Sequence, residues 1–71
     1  MVTIHGITGV TPLTGANWTI TPVGDSEVME CEGPATARIH MAGGNLVEVD
    51  CPADKTVRIT ITGADAVVEF V

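Results

Sequence analysis

TARIHMAGGNLVEVDC, residues 36–51, decides the fold. Its first six residues alternate, with Ala37, Ile39 and Met41 on one side and Thr36, Arg38 and His40 on the other, which is the two-residue period of a strand with one buried face. Ala42-Gly43-Gly44-Asn45 supplies a turn. The run 46–51 then places Val47, Val49 and Cys51 together, against Leu46, Glu48 and Asp50. The stretch reads as a β-hairpin. Pro52-Ala53-Asp54-Lys55 turns the chain again, and 56–62 repeats the pattern with Val57, Ile59 and Ile61 inward and Thr56, Arg58, Thr60 and Thr62 outward. After Gly63-Ala64-Asp65, residues 66–71 form a last strand with Ala66, Val68 and Phe70 inward and Glu69 outward.

Towards the N-terminus the pattern is less regular. Residues 2–7 alternate weakly, TGVTPLTGAN (8–17) reads as an extended loop, and Trp18 and Ile20 are in phase in a strand over 18–22, where Pro22 favours an edge or a strand end. Beyond the turn Val23-Gly24-Asp25-Ser26, residues 27–32 put Met29 and Cys31 on one side and Val28, Glu30 and Glu32 on the other, and Gly33-Pro34 stops the strand. The expectation is an all-β domain, a small antiparallel barrel or sandwich of about seven short strands. Residues 1–17 form an extended N-terminal arm in this reading, and 18–71 the compact β domain.

Composition agrees. Val, Ile and Thr contribute 26 of 71 residues, and eight Gly and four Pro leave no clean window of roughly 10–12 residues for an amphipathic helix. With 45% hydrophobic and 17% charged residues the chain is too apolar to be disordered. At 71 residues it holds one small core, built with one Trp, one Phe and no Tyr, so oligomerisation is an expected source of further burial. A net charge of -6 has the wrong sign for a nucleic-acid binder, and neither a membrane span nor a signal peptide is legible. The expected place of synthesis is the cytoplasm. RIHMAGGNLVEV (38–49) and RITITGADAVVEF (58–70) resemble one another, as a weak duplication or as two hairpins obeying the same patterning.

Catalytic signatures are sparse. Cys31 and Cys51 both fall on apolar faces, which fits buried free thiols or a disulfide, and reduced thiols are favoured in the cytoplasm. His5 and His40 complete a Cys2His2 set without the close spacing of structural zinc sites, and no Asp-rich calcium loop is present. Glu30, Glu32, Glu48 and Asp50 fall on outward faces as a solvated acidic surface. Ser26 is the one serine, and it lies in no nucleophile motif. The chain reads as a non-enzyme without cofactor or metal. Arg38 and Arg58 occupy equivalent places in the two similar hairpins, where they pair with Glu48 and Glu69 or meet carboxylates of a partner. Trp18 is either a core plug or an interface anchor.

The Thr- and Gly-rich segment MVTIHGITGVTPLTGAN, followed by the compact strand series from Trp18 to Val71, resembles in overall character the small all-β capsid decoration (cement) proteins of tailed bacteriophages. That resemblance implies a virion component that binds the major capsid protein on the outer shell, commonly as a trimer, and stabilises it. An arm of this kind adds a strand to an exposed sheet edge. The interface residues expected on this reading are Val2, Ile4, Ile7, Val10, Leu13, Trp18, Arg38 and Arg58. Two rivals belong to other classes. One is a small acidic phage-type inhibitor that mimics nucleic acid in a basic cleft of a host protein, which requires Glu30, Glu32, Glu48 and Asp50 on one face. The other is a small module that binds carbohydrate or peptide.

Overall fold

A computed structural model describes residues 1–71. The chain forms eight strands and no helix: β1 (Val2–His5), β2 (Ile7–Thr14), β3 (Thr19–Val23), β4 (Ser26–Glu32), β5 (Ala35–Met41), β6 (Leu46–Cys51), β7 (Thr56–Thr62) and β8 (Asp65–Phe70). They build two antiparallel sheets, one of five strands in the order β1-β8-β7-β4-β3 and one of three in the order β2-β5-β6. Both sheets are open, so the molecule is a sandwich rather than a closed barrel. No helix is long and apolar enough to cross a membrane.

The decisive hairpin forms as its alternation requires, as β5 and β6 in the three-stranded sheet, with Arg38 opposite Glu48 in register. Its look-alike forms β7 and β8 in the facing sheet, with Arg58 opposite Glu69. The similar sequences thus occupy equivalent places on the two sides of one core. Each sheet contributes half of that core. Met29, Cys31, Val57, Ile59, Ala66 and Val68 come from the five-stranded sheet, and Ile7, Ala35, Ala37, Ile39, Val49 and Cys51 from the three-stranded one. The layer is thin because alanines and valines alternate with its larger side chains, and Ile39 and Ile59 are fully enclosed.

Two hairpins of the five-stranded sheet use the same turn chemistry. Val23 pairs with Ser26 and Thr62 with Asp65, which leaves the two-residue loops Gly24-Asp25 and Gly63-Ala64. Gly24 and Gly63 stand at φ 60° and 57°, the positive values that a glycine accepts in the first loop position. Gly33 is required for a different reason. Its N–H donates to the Lys55 carbonyl at 2.8 Å, and a Cβ there would fall within the carbonyl oxygen of Pro52.

The N-terminal segment is not a free arm. Val2–His5 pairs with β8, so it completes the five-stranded sheet, and Ile7–Thr14 pairs with β5, so it completes the other. The chain crosses between sheets at Gly6, whose carbonyl accepts from Ala42 N–H at 2.9 Å while Ile7 N–H donates to the Ala64 carbonyl at 2.8 Å. Residues 8–14, expected as loop, are therefore strand. Gly9 and Pro12 hide the alternation, and the pairing of β2 with β5 shifts register once between Ile7 and Gly9 and again between Pro12 and Thr14. Pro22 lies in β3, an edge strand, as its missing N–H demands.

Candidate interaction surface

A five-stranded sheet facing a three-stranded one leaves part of its inner face uncovered. One register row shows this directly: Val2, Val68, Ile59, Met29 and Ile20 lie side by side across β1, β8, β7, β4 and β3. Their exposures are 60, 6, 0, 2 and 56%. All five have the phase of core residues, and only the middle three are covered. Phe70 belongs to the next row, beside Val57, and is 45% exposed although its phase points inward as the alternation predicts.

At the β1 end the uncovered Val2 and Phe70 border a groove that reaches the edge of the core. Val2 and Ile4 of β1 and Val68 and Phe70 of β8 face Val47 and Val49 of β6 across a cleft of about 300 Å³, with Glu48 and Asp50 on its rim. Its two long sides are built with the edge strands of the two sheets, β1 and β6. Along an edge strand alternate residues present unpaired N–H and C=O groups.

A second cleft, of about 350 Å³, lies at the β3 side among Ala16, Asn17, Thr19, Glu30, Cys31, Glu32 and Thr56. Of its polar side chains, Thr19, Glu30 and Cys31 are hydrogen-bonded. Arg58 Nε donates to Glu30 Oε2 at 3.0 Å, and the Cys31 thiol donates to the Ala16 carbonyl at 3.2 Å. Cys31 and Cys51 are free thiols, 3% and 4% exposed. Burial pushes Cys31 above its ordinary pKa of 9.0, and the Glu32 carboxylate adds to this. Burial also raises Cys51, with Cys31 as the next contributor. Both side chains are thus held as neutral thiols, the unreactive form.

The histidines stand apart from the thiols. His5 Nδ1 lies 2.9 Å from Asp65 Oδ1, and His40 Nε2 lies 3.0 Å from Thr11 Oγ1. The Cys2His2 set does not assemble, and no group of three or more His, Cys, Asp or Glu side chains converges.

The residues expected at an interface are dispersed. Val2 and Ile4 line the groove, Ile7 is buried, and Val10 and Trp18 are half-buried against the core. Leu13 is exposed on β2. Trp18 packs against the margin of the core at the connection between the sheets, where its Nε1–H donates to the Thr14 carbonyl at 3.0 Å. Arg58 bridges Glu30 and approaches Glu69 at 3.8 Å, whereas Arg38 makes no ion pair. The part of half-buried Val47 and exposed Phe70 in the groove is not legible in the sequence, because phase says which way a side chain points and not whether a facing strand covers it. The acidic residues also divide: Glu30 and Glu32 belong to β4 in one sheet, Glu48 and Asp50 to β6 in the other.

Comparison with protein-family models, with curated proteins and with solved structures finds no match.

Proposed function

We propose that the chain is a non-enzymatic virion protein that decorates and stabilises the outer surface of a bacteriophage capsid, through contacts with the major capsid protein and with other copies of itself as a trimer. The supporting observation is the register row whose ends, Val2 and Ile20, carry core-phase apolar side chains into solvent at 60 and 56% exposure. Uncovered core positions beside open sheet edges suit contact with polypeptide, because apolar side chains and main-chain groups are both available there. With residues 2–14 folded into the sheets, the contact belongs to the folded body and its edges rather than to a free arm. The placement of Glu30 and Glu32 in one sheet and of Glu48 and Asp50 in the other supports this reading over nucleic-acid mimicry, which requires these carboxylates on one face.

The test is co-sedimentation of the purified protein with mature capsid shells of the phage that encodes it, followed by cryo-electron microscopy of the pellet. Ordered density at symmetry axes of the shell is expected. A protein that stays in the supernatant at saturating shell concentration removes the decoration role.

A further inference from the structure

We infer that the groove between β1 and β6 receives an extended segment of a partner protein in which apolar residues alternate with Lys or Arg. The inference rests on the protein-contact reading above for the kind of occupant, and on the groove itself for its chemistry.

The lining is apolar at Val2, Ile4, Val47, Val49, Val68 and Phe70, and the rim carries Glu48 and Asp50. These two sets alternate along β6, with 47 and 49 facing the groove and 48 and 50 on the opposite face of the same strand. A strand added to the free edge of β6 inherits that alternation, because directly opposed residues in a sheet point to the same side. Its groove-side residues then meet valines, and its other residues meet carboxylates. Arg38 stands opposite Glu48 in register and makes no ion pair, and with two carboxylates to one guanidinium this face of β6 is net negative.

Charge also selects among occupants. A second copy would bring another net charge of -6, with only Arg38, Lys55 and Arg58 as basic side chains. Arg58 is already held by Glu30. A basic partner strand is attracted where a second copy is repelled.

The experiment titrates the intact protein with two blocked heptapeptides, one alternating lysine with valine and one alternating glutamate with valine, while backbone amide shifts are followed by NMR. The lysine peptide is expected to bind and to shift amides of β1, β6 and β8, and the glutamate peptide is expected not to bind. Glu48 and Asp50 are exposed, so the double variant Glu48→Lys/Asp50→Lys keeps the fold; it is expected to lose about tenfold in affinity for the lysine peptide and to gain binding of the glutamate peptide. Phe70→Thr, also at an exposed side chain, is expected to weaken the lysine peptide about tenfold.

Equal binding of both peptides, shifts confined to other strands, or a concentration-dependent dimer that protects β1 and β6 would each overturn the assignment. The two proposals fail separately. Groove-specific peptide binding without capsid binding sinks the decoration role alone, and capsid binding undiminished in the Phe70→Thr chain sinks the groove alone.

Discussion

Arg58 reaches across the β4–β7 pair to Glu30, Nε to Oε2 at 3.0 Å, while its counterpart Arg38 in the other hairpin stands opposite Glu48 without an ion pair. Both arginines stand on strands flanked on both sides. Arg58 has a carboxylate on each neighbouring strand, Glu30 and Glu69, whereas the neighbours of Arg38 are Thr11 and Glu48. Both partners of the Arg58–Glu30 pair are more than a third exposed, so water and salt screen the attraction. Arg58→Met is therefore expected to cost less than about 1 kcal/mol at low salt and less still at high salt. Arg38→Met should show no salt-dependent part. Urea titrations of both variants at two ionic strengths check this, and equal salt responses would show that the pairing contributes nothing.

The thiols predict a pH window. Their folded pKa values lie above 9.0, so below that pH both folded and unfolded chains keep the protons and stability does not depend on these groups. Above pH 9 the unfolded chain releases thiol protons that the folded chain retains. Stability should then fall as pH rises towards the folded values, and the fall should be shallower in a Cys31→Ala/Cys51→Ala chain. At neutral pH iodoacetamide should modify neither cysteine until denaturant is added, with mass spectrometry as the readout.

Gly33 and Gly43 offer a matched pair of substitutions. A methyl group on Gly33 collides with Pro52 backbone, which cannot swing aside as a side-chain tip does, whereas one on Gly43 meets nothing within 4 Å. Gly33→Ala is expected to destabilise by about 3 kcal/mol or more and Gly43→Ala by less than about 0.5 kcal/mol. Thermal melts of the two chains under identical conditions measure the difference.

Core position and core phase separate in the same way. Ile39→Ala removes a fully enclosed side chain and should cost about 2–5 kcal/mol, enough to unfold much of a domain this small. Ile20→Ala, at a position of the same phase that is 56% exposed, should cost less than about 1 kcal/mol. Similar losses at both positions would mean that Ile20 is covered in solution.

These contrasts show where the sequence could be read and where it could not. Strands β4 to β8 are legible because each keeps one phase along its length, with no extra residue interrupting it, and the inward residues Met29, Cys31, Ile39, Val57 and Ile59 are buried as that alternation requires. β2 was not legible, since a strand with two register shifts has no single phase, and so Ile7, Val10 and Leu13 looked like parts of an arm. The groove was hidden for another reason. Alternation is a property of one strand, but exposure of Val2 and Phe70 depends on how many strands each sheet recruits, and that count is settled by pairings between distant segments.

The pairing of Val2–His5 with Asp65–Phe70 carries a consequence for biosynthesis. On the ribosome β1 is made early, yet the only strand it pairs with is the last of the eight, some sixty residues later. β2 likewise waits for β5. β1 therefore stays unpaired until β8 emerges, whereas β2 needs only β5, and this non-local closure of the five-stranded sheet slows folding and keeps β1 exposed to chance partners in the interval.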